Sequence, residues 1–309
     1  MKTHFRFLLA LFLSVVLCGC SAGSLTPIQA PAQGNGTRGS TRRVLKPEAG
    51  GAITYGNEQI TLDASHSDQG YIMLKWLAPE NKLKFQISGP RNNTYTYNLP
   101  ADGEWHTYPL TEGSGTYTLG VFENVVDNQY SQAFAQALTV RLANDFLPFL
   151  YPNEYVSFDS TTKAVALAED LAEHSDTDLD VISSVFYYVV SNIDYDYDKA
   201  QNVQSGYLPD VDATLAEGKG ICFDYAALMA CMLRSQQIPT RLDIGYIGDV
   251  YHAWISIWVA DQGWVYNAIE FDGTEWNMMD PTFTSTARQG DELKQYISNE
   301  QDYFIKYSY

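Results

Sequence analysis

Three side chains in the C-terminal half of this 309-residue chain have types and flanks suited to covalent catalysis: Cys222, His252 and Asp280. Cys222 stands in Gly218-Lys-Gly220-Ile221-Cys222-Phe-Asp224-Tyr225-Ala226, where a Gly-rich turn delivers a thiol onto the first turn of a predicted helix. Tyr225, Leu228, Met229 and Met232 recur at helical spacing as its apolar face, and Gln236-Gln-Ile-Pro239 ends it. A thiol at a helix start faces the positive end of the macrodipole and unpaired backbone N–H groups, an environment that favours thiolate, the nucleophilic form. His252 lies near the start of a predicted strand over residues 251–259, and a turn at Asp261-Gln-Gly263 leads into a second over 264–268. Asp280, in Met279-Asp280-Pro281-Thr282, ends a third short extended piece. Nucleophile, base and a carboxylate to orient the base thus arrive in chain order from a helix start and neighbouring strands. A buried structural thiol is the competing reading of Cys222 taken alone, and the downstream histidine and aspartate weigh against it.

Other uses of these residue types fit less well. A zinc site needs close ligand pairs, and the C-terminal half offers one suitable cysteine and no such pair, so no metal is expected. Asp194-Tyr-Asp-Tyr-Asp198 alternates carboxylates as a calcium loop does but lacks the glycine and closing glutamate of an EF-hand, and it reads as a solvated loop after a helix. Asp224 reads as a first-turn acid that complements the helix dipole. His66, His106 and His174 lie outside the motifs and read as surface or packing residues.

The order and flanks of the three motifs resemble the transglutaminase-like superfamily, whose patterns Gly-x-Cys-x-Asp-Tyr-Ala, His-Ala-Trp and Asp-Pro-Thr are matched here by Gly220 to Ala226, His252 to Trp254 and Asp280 to Thr282. The resemblance covers roughly residues 160–285. It implies an α+β, papain-like core in which the nucleophile helix packs on an antiparallel sheet. It also implies acyl transfer from a peptide or isopeptide amide of a peptide or protein substrate, by hydrolysis or transamidation, without a cofactor. Catalytically silent binding or scaffold domains are the alternative that the family allows. The Cys222 backbone N–H is one candidate oxyanion donor, and Tyr207 is offered as the second. Ser256 stands where many relatives place an acid after His-Ala-Trp, which bears on substrate choice more than on chemistry.

The elements that must carry this site occupy the chain after about residue 143. Thr177 and Asp180 make a capping-box-like helix start, Leu179, Ile182, Phe186 and Val189 follow as an apolar face, and Ser160 is positioned to cap an earlier helix ending near Glu173. Residues 51–143 instead alternate in short runs, among them Ile72-Met-Leu74-Lys-Trp76, Leu83-Lys-Phe85-Gln-Ile87 and Tyr95-Thr-Tyr97. Turn signals separate them, as an antiparallel β-sandwich requires. Its aromatics Trp76, Tyr95, Tyr97, Trp105, Tyr108 and Tyr117 read as core and cross-strand pairs rather than a carbohydrate platform.

Residues 1–19 have a basic head with Lys2 and Arg6, a short apolar run and a small-residue end, the parts of a signal peptide. Leu17-Cys18-Gly19-Cys20 resembles the lipobox of a bacterial lipoprotein, which implies lipidation of Cys20 and a place on the outer face of the cell membrane, held through the lipid anchor. Residues 20–50, rich in Ser, Gly, Pro and Thr, read as a flexible linker. Arg38, Arg42, Arg43 and Lys46 near its end are either solvated or attracted to anionic lipid heads. The remaining thiols, Cys222 and Cys231, are nine residues apart on one predicted helix, ~13 Å along its axis and on opposite faces, so they cannot pair. The formal net charge of −18 repels nucleic acid, and its ordinary consequence is solubility.

Overall fold

The computed structural model describes residues 30–78, 82–260, 263–266, 269–271, 276–278 and 303–309. Its first half is two antiparallel four-stranded sheets. One orders β1 (Thr54–Gly56), β2 (Ile60–Asp63), β3 (Tyr71–Trp76) and β6 (His106–Pro109), and the other orders β5 (Thr94–Leu99), β4 (Leu83–Ser88), β7 (Gly115–Val126) and β8 (Gln129–Val140). Period-two alternation decides which residues face inward. Leu83, Phe85 and Ile87 of β4 and Tyr95, Tyr97 and Leu99 of β5 are buried while their neighbours are more exposed. Trp76, Tyr95, Tyr97, Tyr108 and Tyr117 are core residues, whereas Trp105 is partly exposed beneath the Lys75 ammonium. Phe85 and Tyr97 each meet Tyr108 edge-on, at centroid distances of 4.7 and 4.8 Å, as aromatic quadrupoles favour, and stack on one another at 6.3 Å. The strands β1 and β6 were not expected, and β7 and β8 extend well beyond the apolar runs that announce them.

The second half is helical and then antiparallel, giving an α+β chain. α1 (Lys163–Ala172) and α2 (Asp178–Asn192) pack on α5 (Cys222–Ser235), with α3 (Tyr197–Asn202) and α4 (Val211–Glu217) between α2 and α5 in sequence. The Thr177–Asp180 capping box forms as expected and starts α2. The cap position of α1 falls on Thr162 rather than Ser160, because Asp159 turns the chain by accepting from the Thr161 N–H and Asp212 receives the Lys163 and Ala164 N–H groups. β11 (Thr240–Ile247) and β12 (Val250–Val259) form a hairpin flanked by β13 (Gly263–Tyr266) and β16 (Tyr303–Ser308), while β14 (Ile269–Phe271) and β15 (Trp276–Met278) pair with each other. α5 lies against β11 and β12 on one side and against α1, α2 and α4 on the other, so every residue from Asp224 to Ser235 is buried. A helix enclosed all round cannot show a strong apolar stripe.

Inside that helix sits Arg234, fully buried. Its guanidinium donates to the carbonyls of Thr240, Tyr151 and Tyr309 at 2.9, 2.9 and 2.7 Å, and loss of water lowers its pKa to about 9. Residues 34–43, read from sequence as part of a flexible linker, are instead pinned to the helical half. Gly34 and Arg38 donate backbone N–H groups to His174 and Ser175, and Asp176 accepts from the N–H groups of Asn35 and Thr37. Arg38 pairs with Asp178 at 2.5 Å and donates to the Gln236 carbonyl at 2.7 Å. Gly, Ser and Thr are small enough to lie flat on a helical surface, and the turn between α1 and α2 offers the acceptors.

Candidate active site

The approach to Cys222 is fixed by local rules acting in succession. Asp210 caps α4 by accepting from the N–H groups of Asp212 and Ala213, and Gly218 ends it in the left-handed region at φ 63°. Lys219–Gly220 then forms β10, a short parallel pair with β9 (Asp194–Tyr195). Ile221 turns extended, at φ −96° and ψ 175°, and α5 begins at Cys222. Asp224 reaches back to accept the Ile221 N–H at 2.8 Å. Gly220 is required there, since a Cβ would lie 2.7 Å from that of Asp224. The 194–198 stretch is therefore not a plain solvated loop: its first two residues pair with the approach to the thiol, and Asp196 caps α3 through the Lys199 N–H. Among the described residues, no group of three or more His, Cys, Asp or Glu side chains is placed to hold a metal ion.

His252 is delivered by β12, where it stands opposite Gly245 of β11, and its ring lies nearly parallel to Trp254 at 6.1 Å. It is 6% exposed, whereas Cys222 is partly exposed. Gly245 is the second required glycine, because β16 crosses so closely that a Cβ would meet the Phe304 carbonyl oxygen at 1.9 Å. Cys222 and His252 both line one cleft of about 520 Å³. Asp280 and Cys20 lie outside the described residues. The other thiol, Cys231, is fully buried, and desolvation holds its pKa far above the ordinary range.

Three further walls complete the cleft, and of their residues the sequence points to Tyr207 alone. Glu154 and Tyr155 come from the crossover between the halves, Val203 to Leu208 from the loop between α3 and α4, and Tyr97 and Asn98 from β5 of the sandwich. Gly206, at φ 90°, lets that loop rest against Asn98, whose Nδ2 would lie 2.3 Å from an added Cβ. These contributions come from up to 125 residues away in sequence, so no local pattern announces them. Tyr207 does line the cleft, but its hydroxyl donates to Asp224 Oδ1 at 2.5 Å and accepts from Lys199 Nζ at 2.7 Å. The proton that a second oxyanion donor would offer is thus already engaged. Asp224 is more than a dipole-matching acid, being fully buried and paired with Lys199 at 2.7 Å.

Residues 165–268 match the family model described as transglutaminase-like superfamily. A UPF0252 protein of Methanocaldococcus jannaschii is 31% identical over 88 residues, which make up 25% of this chain and 25% of that protein. The chain therefore matches about a quarter of that relative's length. Among solved structures, a candidate cysteine protease of Cytophaga hutchinsonii is 16% identical with a TM-score of 0.35, covering 75% of this chain and 69% of the other. Red sea bream transglutaminase is 14% identical with a TM-score of 0.29, covering 67% of this chain and 49% of the other.

Proposed function

We propose, from the transglutaminase-like domain at residues 165–268, that the protein is a cysteine acyl-transfer enzyme acting on amides of peptides or proteins. The observation that carries this reading is the opening of Cys222, at a helix start, and His252, on a strand, into one aromatic-lined cleft. In this mechanism the Cys222 sulfur attacks the amide carbonyl as His252 takes the thiol proton, giving a tetrahedral oxyanion held by the Cys222 backbone N–H. Collapse breaks the C–N bond, and the imidazolium returns its proton to the departing amine, leaving a thioester. Water or a second amine then attacks the thioester, gives its proton to His252 and releases the thiol. Asp280 is assigned, by its Asp-Pro-Thr motif, to orient His252 and stabilise the imidazolium.

The Leu17-Cys18-Gly19-Cys20 run adds a location to the proposal, with the mature chain held by lipid on Cys20 at the outer face of the cell membrane. The test of the chemistry is intact-mass trapping of the thioester from a peptide library, with water and primary amines competing as acceptors. Cys222→Ala should give no adduct, and His252→Ala should fall nearly as far, because groups that act as one unit do not contribute additively. Asp280→Asn should keep the fold and part of the rate. Turnover retained in Cys222→Ala would refute the mechanism, and no adduct from any substrate would favour a binding module.

A further inference from the structure

Beside the proposed nucleophile lies a charge cluster that the mechanism above does not use. Lys199 of α3, Tyr207 of the following loop and Asp224 of α5 close a triangle. Lys199 Nζ is 2.7 Å from Asp224 Oδ2 and donates to the Tyr207 oxygen at 2.7 Å, while the Tyr207 hydroxyl donates to Asp224 Oδ1 at 2.5 Å. The fourth partner is the Ile221 N–H, 2.8 Å from Asp224 Oδ2, so the carboxylate is joined to the residue immediately before Cys222. Asp224 has no exposed surface, and the Lys199 side chain is 27% exposed.

A fully buried carboxylate two residues from a thiol, in the same first turn of the helix, opposes formation of a second negative charge there, unless a cation cancels it. The other titratable groups that line the cleft at this corner are Tyr195 of β9, Tyr251 and His252 of β12, Glu154 and Tyr155 of the crossover, and Tyr97 of β5. Glu154 is paired with His106, and the nearby Lys219 with Asp196. Among the described residues, the cation in contact with Asp224 is Lys199.

We propose that Lys199 is a positioning residue for the Cys222 nucleophile: by neutralising Asp224 it keeps the start of α5 electropositive, and through Tyr207 it holds the cleft loop against that helix. The proposal rests on the nucleophile role given to Cys222, but its readout needs no substrate. The rate of Cys222 carbamidomethylation by iodoacetamide is followed by peptide mapping of the full chain between pH 5 and 9. Lys199→Met should move the midpoint of the profile up by about one unit, slowing the reaction about tenfold at pH 6, and Lys199→Arg should restore it. Lys199→Met/Asp224→Asn, which removes both charges, should return the midpoint to near that of the wild type.

A folded Lys199→Met protein with an unchanged profile overturns the proposal. So does a double variant shifted as far as the single one, since that would mark a packing effect. Where Lys199→Met does not fold, Lys199→Gln with its own Asp224→Asn partner supplies the same comparison. The two readings fail separately, because a wild type without turnover that still shows this charge dependence loses the enzyme and keeps the positioning role.

Discussion

At the scale of single residues, the two described thiols have opposite fates although they share one helix. Cys222 is partly exposed at the start of α5, whereas Cys231 is enclosed and its pKa is raised by desolvation. Iodoacetamide should therefore modify Cys222 at pH 6–7 and leave Cys231 untouched until the protein unfolds. Equal labelling of the two in the native protein would refute the assignment. The sequence makes Cys222 and His252 legible because each sits in a contiguous motif with its own helix or strand signal. Lys199, 25 residues from Asp224, has no such signal, since the contact exists only after α3 folds back on α5. Arg234 is hidden for a related reason: its acceptors at Tyr151, Thr240 and Tyr309 meet only in the folded core, and no periodicity marks a cation for burial.

At the scale of elements, the alternation of β4 and β5 and the capping box of α2 could be read directly, because each is a rule about neighbours. The strand β6 escaped because His106-Thr-Tyr-Pro109 has neither a long apolar run nor a clean period; its place comes from pairing with β3. That strand also fixes one wall of the cleft. His106 Nδ1 lies 2.9 Å from Glu154 Oε1 and its Nε2 lies 3.1 Å from Asp102, while the Glu154 N–H donates to the Thr107 carbonyl. The hydrogen bond to Glu154, more than the one to Asp102, raises the His106 pKa to about 9. A raised histidine pKa means that its stabilisation is complete below about pH 6.5 and is lost as pH rises through about 9. Urea midpoints of the wild type should therefore decline between pH 7 and 10 by more than those of His106→Gln. Parallel curves would show that the imidazolium does not hold the crossover.

At the scale of the whole molecule, the sandwich and the helical half share one core. Tyr95 and Tyr97 of β5 meet Tyr155, Tyr307 and Tyr309 tilted or edge-on at centroid distances of 4.1–6.2 Å, counting the contacts among them. Composition and patterning indicate two halves but say nothing of this seam, because tyrosines fit equally well in a strand interior and in an interface. The same blindness applies to residues 34–43. Their composition is that of a linker, and they become a strap only because Asp176, Asp178, Ser235 and Gln236 present partners in register. Asp176→Ala, which removes acceptors for Asn35 and Thr37, should speed tryptic cleavage after Arg42 and Arg43 several-fold at unchanged global fold. Cleavage at the wild-type rate would mean that the strap contributes no protection.

The strap also sets a working radius. It docks at the C-terminal end of α5, where Arg43 donates to the Ser235 carbonyl, while Cys222 begins the same helix about 20 Å away. With lipid on Cys20, as proposed, the leash to the membrane is not the whole stretch to residue 50 but the span from Cys20 to Gly34, whose contour is at most roughly 50 Å. Tethering at that pole leaves the cleft at the other end of the helix, turned toward whatever lies beyond the bilayer. The substrates within its range are then those fixed in a shell some tens of ångströms deep, and lengthening the leash, with no change to the cleft, would widen the set of amides it can reach.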